Sequence, residues 1–150
     1  MVVLAIDPGN EKCGVAIVAG GSVSLQEVLE RQGYAAFLQN VTKKYDIGLV
    51  VGLGSWIDGA VTAHAPDHVV IGDGTRSSDF LRETKQSFPD LEVTVVDEKF
   101  STEEARSRYW LEHRPTGWRR LLPTSMQVPP EPYDDYVAVI LAERFIAGKA

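Results

Sequence analysis

Three short apolar runs rich in β-branched residues, at 2–6, 68–72 and 91–96, constrain this chain more than anything else in it, because each stops against a carboxylate. VVLAI runs into Asp7-Pro8-Gly9, HVVIG into Asp73-Gly74, and LEVTVV into Asp97-Glu98. The first two, apolar and closed by turn residues, show the pattern of strands buried on both faces, and the third, interrupted by Glu92 and Thr94, reads as a further strand. Residues 14–18 and 22–29 read as two further strands around a turn at Ala19-Gly20-Gly21, so the chain opens as an antiparallel meander. Helices are predicted over 34–45, where Tyr34, Phe37, Leu38 and Val41 recur at helical spacing, and over 78–88, 101–113 and 132–147. The third of these opens on Ser101-Thr102-Glu103-Glu104, a capping box, and the last carries Pro132 in its first turn and stops at Gly148. Residues 47–64 fit a strand and a buried helical segment equally. Residues 114–130, with four prolines, read as a long surface loop. A meander followed by strand–helix units implies an α/β fold with a mixed central sheet flanked by helices, ligands sitting beyond the carboxyl ends of its parallel strands.

Length and composition narrow the class. A chain of 150 residues matches one domain, expected over 1–150, that buries roughly 70% of its unfolded surface. Apolar residues at 44% and charged residues at 24% suit an ordinary globular protein rather than a disordered or membrane one. No basic leader precedes the first apolar run, and Cys13 is the single cysteine, so a cytoplasmic protein without disulfides or cysteine-based zinc is expected. Histidines 64, 68 and 113 lack metal-ligand spacing. The net charge of −6 opposes a nucleic-acid partner. Against that, residues 99–120 set six basic residues against three acidic ones, and carboxylates that bind divalent cations change sign in effect.

Carboxylates at the ends of neighbouring parallel strands lie within a few strand spacings of ~4.8 Å and can share a cation. Asp7, Asp73, Asp97 and Glu98 are the candidates on strands. The last helix adds Asp135, on one face with Ala138 and Ala142, whose small side chains allow close packing on the sheet. Asp134, its neighbour, can replace or assist it. Taken singly each acid has a plainer role, since acids favour first helical turns and Asp-Pro-Gly and Asp-Gly favour turns. Together they suit Mg²⁺ or Mn²⁺, which take a few carboxylate oxygens and leave positions for a phosphate, and two ions ~3.5–4 Å apart would serve phosphodiester cleavage.

Asp7-Pro8-Gly9, followed at fixed spacing by Gly14-Val15-Ala16, resembles the opening motif of the RuvC/YqgF (RuvX) family. The block from Val96 to Ala105, with Asp97-Glu98, a basic residue and Ser101-Thr102, resembles the second YqgF motif, and Asp135-Tyr136-Val137-Ala138 is similar to its closing helix. Val70-Ile71-Gly72-Asp73-Gly74-Thr75 resembles a turn in the YqgF-like domain of the transcription accessory protein Tex. Residues 30–66 do not match, and the family's Gly-Leu-Pro turn is absent unless Gly52-Leu53-Gly54 is its remnant. A RuvC resolvase would carry glutamate after the central strand, where this chain has Gly72-Asp73, which favours the YqgF branch.

The resemblance implies an RNase H-like fold and a metal-dependent nuclease, with Asp7, Glu98 and Asp135 as ligands of Mg²⁺ or Mn²⁺. It further implies maturation of precursor 16S rRNA, which favours RNA over DNA as partner; the sequence itself does not choose. Lys12 stands where the family carries a basic residue. Trp118 among Arg114, Arg119 and Arg120, together with Lys99, forms an aromatic and basic set able to stack bases and meet phosphates, with Trp110 either core or part of it. Three rival readings remain: a Holliday-junction-type DNA resolvase, a non-catalytic nucleic-acid-binding domain like that of Tex, and a fragment of an actin-like ATPase, for which 150 residues leave no room.

Overall fold

The computed structural model describes residues 1–47 and 66–148. The undecided stretch 47–64 lies, but for Ile47, outside the described residues. Strands β1 (Val2–Asp7), β2 (Lys12–Ala19) and β3 (Ser22–Glu30) form the expected meander, turning at Gly20 and Gly21, both at positive φ as a tight hairpin requires. Helix α1 (Tyr34–Ile47) follows, then β4 (His68–Gly72), α2 (Ser77–Ser87), β5 (Glu92–Val96), α3 (Ser101–Glu112) and α4 (Asp134–Ile146). The sheet order is β3-β2-β1-β4-β5, with β1, β4 and β5 parallel and the hairpin partners antiparallel.

The apolar character of β1 follows from its central place. Val3 and Ala5 face a core completed by α3 and α4, whereas Val2, Leu4 and Ile6 face one completed by α1 and α2. Helix α4 is apolar all round from Tyr136 to Ala142 because the sheet lies under it and α3 beside it. Edge strand β5 buries only Val96 fully. No described helix is long and apolar enough to cross a membrane.

Three local expectations are corrected. The capping box does not form: Ser101 is already helical, its hydroxyl donates to the Glu98 carbonyl at 2.5 Å, and Glu104 pairs with Arg144 instead. Helix α4 begins at Asp134, so Pro132 lies before it rather than in its first turn. The 114–130 loop is not featureless, since Gly117–Leu121 and Thr124–Met126 each make a short 3-10 turn.

Candidate metal centre

The ends of β1, β4 and β5 come out level, since Ile6 pairs with Ile71 and Gly72 with Val96. Two glycines then decide what reaches Asp7. Gly14 pairs with Asp7 across the β1–β2 ladder, and a Cβ on Gly14 would collide with the Asp134 backbone carbonyl. The missing side chain lets the first turn of α4 settle on β2 beside Asp7. Gly72 and Gly74 do the same for Glu98, whose carboxylate occupies the space that their Cβ atoms would fill. The turn carrying Glu98 is tied down by its own backbone: the Glu98 amide donates to Asp73 Oδ1 at 3.0 Å, the Lys99 amide to Asp97 Oδ1 at 2.7 Å, and the Lys99 carbonyl accepts from Arg144 at 2.8 Å.

Asp7 is the shared neighbour of Glu98 and Asp134, its carboxyl within hydrogen-bonding reach of both. Burial, then the charge of Glu98, then that of Asp134 push its pKa up to about 9. Glu98 is raised too, chiefly by burial, against a hydrogen bond from the Gly74 backbone. Its Oε1 is buried with no hydrogen-bond donor among the described residues. Crowded carboxylates with unused oxygens are what hard divalent ions ligate, and in the absence of a cation one of them must hold a proton. Among the described residues no three histidine, cysteine or acidic side chains, as placed, come together closely enough to hold a metal ion. The donor set nonetheless fits Mg²⁺ or Mn²⁺ in chemistry: oxygen only, acid-rich and half-buried.

Asp135 lies apart from this group. Its Oδ2 accepts from Gln26 Nε2 on β3 at 3.0 Å, its Oδ1 is buried without a partner among the described residues, and its charge is felt by Glu27. Burial raises its pKa against the pull of that amide. Of the two adjacent acids of α4, the geometry thus seats Asp134 beside Asp7 and turns Asp135 toward the β3 edge. Asp73 serves the Glu98 turn, and Asp97 the next residue of it.

The basic and aromatic candidates spread along α3 and the loop after it. Trp110 is core on its helix, while Trp118 is 70% exposed with the Arg119 guanidinium 5.9 Å from its ring centroid. Arg114, Arg119 and Arg120 are exposed and carry no carboxylate partner among the described residues. Lys12 is exposed at the start of β2, and the Lys99 Nζ lies 5.3 Å from the Phe100 ring. Two residues escaped the sequence reading. Phe100 and Arg76 are the non-glycine residues at positive φ among the described residues, 64° and 66°, each leading into the helix that follows β5 or β4, and Phe100 is 64% exposed two residues from Glu98. A left-handed phenylalanine costs about 1–2 kcal/mol, and no composition signal announces it.

A family model described as RuvX, Holliday junction resolvase, matches residues 1–116. No curated protein matches the chain. Among solved structures, Thermus thermophilus RuvC in complex with Holliday junction substrate shares 15% identity over 100% of this chain and 98% of that one, with a TM-score of 0.53. A second Thermus thermophilus RuvC structure shares 13% identity over the same spans, at a TM-score of 0.48. The first supports an RNase H-like fold of the RuvC kind, in keeping with the mixed five-stranded sheet. Since the family match runs from the first strand through α3, well over half the sequence, the chain belongs to the RuvX family.

Proposed function

We propose that this protein is a divalent-metal-dependent nuclease that hydrolyses phosphodiester bonds, with Asp7, Glu98 and Asp134 as the ion-holding carboxylates and Asp135 in support. The observation that carries the reading is Asp7, half-buried between two other acids at the carboxyl end of the central strand, where glycines have cleared space for them. An Mg²⁺ or Mn²⁺ held there would polarise the phosphate and lower the pKa of an attacking water. The chain's own residues do the rest. Glu98, fixed by the Asp73 and Asp97 hydrogen bonds, keeps its carboxylate turned over Gly72 toward Asp7. Gln26 holds Asp135 where its free Oδ1 can accept a proton or a water. Lys12, Lys99 and the arginines of the 114–120 loop supply cations for the flanking phosphates. In the reaction a water oxygen bonds to phosphorus, the bond to the leaving sugar oxygen breaks, and that oxygen takes up a proton.

RNA is the favoured substrate, on the strength of the YqgF-type motifs at Asp7, Glu98 and Asp135, and precursor rRNA is its favoured form. The second reading is a four-way DNA junction, supported by the family's description and by the RuvC structure determined on such a junction. A cytoplasmic setting suits both, with buried Cys13 the only thiol. The deciding experiment incubates the protein with structured RNA, single-stranded RNA and a four-way DNA junction, each with Mg²⁺, Mn²⁺ or chelator. Cleavage should need the ion and vanish in Asp7→Asn. Absence of cleavage on all three, or equal cleavage by Asp7→Asn, would overturn the nuclease reading.

A further inference from the structure

The arginines of the described chain fall into two groups. Arg31, Arg82, Arg108 and Arg144 each pair with a carboxylate and bind one element to another or brace a helix. Arg76, Arg106, Arg114, Arg119 and Arg120 pair with none among the described residues, and all but Arg76, which precedes α2, lie from the middle of α3 to just beyond it. Two adjoining depressions run there and share Ser107. One, of about 280 Å³, is lined by Glu103, Arg106 and Ser125. The other, of about 490 Å³, is lined by Trp110, Leu111, Arg114, Pro115, Arg120 and Leu122. Positions 107, 110 and 111 share one face of α3 and Arg114 lies just past its end, while Arg108 and Glu112 of α3 bond to Glu143 and Tyr136 of α4.

Two buried donors on this face, Arg106 Nε and Trp110 Nε1, have no acceptor among the described residues. The surroundings are apolar and open: Leu111 is 74% exposed, and Leu121, Met126 and Val128 also face solvent. Salt-free arginines above an apolar floor suit an anion that brings a flat apolar group with it. A double helix offers phosphates but keeps its base faces stacked inside, so it would leave the floor unused. A single strand offers both. The groove is also near enough. One end of α3 starts three residues after Glu98, the other is bonded through Glu112 to Tyr136, two residues after Asp134, and the helix between rises only about 17 Å, some five stacked nucleotides.

We infer that the groove along α3, from Arg106 through Trp110 and Leu111 to Arg114 and Arg120, binds a single-stranded stretch of nucleic acid flanking the cleaved phosphate. The arginines take backbone phosphates and the apolar floor takes an unpaired base. This rests on the nuclease reading above and deepens it: the substrate is unpaired on at least one side of the cut.

The test uses Asp7→Asn protein with chelator and follows fluorescence anisotropy of a labelled ten-nucleotide oligouridylate and of a blunt RNA duplex. The single strand should bind at least tenfold tighter than the duplex. Adding Arg114→Ala and Arg120→Ala should weaken it a further tenfold or more and reduce the slope of log affinity against log salt by about 1.4, two single-strand phosphate contacts. Leu111→Ala, on an exposed position where folding is not at stake, should weaken binding several-fold with the slope unchanged, and Arg82→Ala on α2 should change nothing. Equal binding of duplex and single strand overturns the inference, as does indifference to the paired arginine change. So does displacement of the oligonucleotide by polyglutamate at equal charge, or a dimer in sedimentation that Leu111→Ala dissolves without affecting the oligonucleotide. If the strand binds as stated and no substrate is cut with metal, the nuclease reading fails and the groove stands. Normal cutting by the arginine variant has the opposite meaning.

Discussion

The two ends of α3 are built on opposite terms. At its start the backbone is held by four hydrogen bonds within the Asp97–Glu104 stretch, Ser101 is buried, and glycines of the neighbouring strand give the Glu98 carboxylate its space. At its finish Arg114, Leu121 and Leu122 stand in solvent without fixed partners. An ion requires oxygens placed to within a few tenths of an ångström, whereas a polymer strand is held by cations and flat apolar surface that tolerate adjustment. Rigidity and looseness are thus divided between the two tasks the molecule is proposed to perform.

The comparison breaks first at Asp7. Asp7→Asn should lower cleavage by about 10²–10³-fold or more, the scale of losing a preorganised charge-stabilising group, while thermal unfolding of the metal-free protein shows equal or greater stability because an amide needs no proton uptake to sit beside the other acids. Next comes the choice between adjacent acids. Asp134→Asn should approach the Asp7→Asn loss, while Asp135→Asn should cost about 10–100-fold, as a supporting residue does, measured as metal-dependent turnover. A third probe uses the glycines. Gly14→Ala meets backbone of α4 and should destabilise by about 1–3 kcal/mol in urea melts as well as impair cleavage. Gly72→Ala meets only the end of the Glu98 side chain, so activity should fall with stability nearly kept.

The fourth turns on protons. With Asp7 at about 9 when folded and near ~4 when unfolded, folding of the metal-free protein takes up a proton between those values, so stability falls as pH rises through that window. Urea midpoints in chelator should therefore drop from pH 5.5 to 8, and saturating Mn²⁺ should flatten the trend. The smallest effect belongs to Phe100. Phe100→Gly removes the left-handed penalty and should stabilise by up to about 1 kcal/mol in the same melts.

Much of the sheet was legible because β1 and β4 are buried on both faces and had to be apolar throughout. The acids at the strand ends were legible for the same reason, since charge can appear only where burial ends. The choice between Asp134 and Asp135 was not. Neighbours on a helix differ by about 100° in direction, and which one faces Asp7 depends on how deeply α4 sits at Gly14, a contact 120 residues away in the chain. Gly72, read as a departure from the RuvC pattern, turns out to be the space into which Glu98 reaches from the next strand. The capping box failed for a local reason: Phe100 takes the cap position, and Ser101, already inside the helix, donates its hydroxyl to the Glu98 carbonyl. Phe100 and Arg76 left no trace in periodicity, because left-handed non-glycine residues obey no pattern.

Of the three acids proposed to hold the ion, Asp134 alone rides on α4. Its separation from Asp7 is the thickness of the contact between helix and sheet, which Ala138 and Ala142 keep small against Val3, Ala5 and Ala16. A methylene added under that helix would change ligand spacing by more than coordination bonds forgive. The packing of alanines in the core acts, in effect, as the gauge block for the chemistry at the rim.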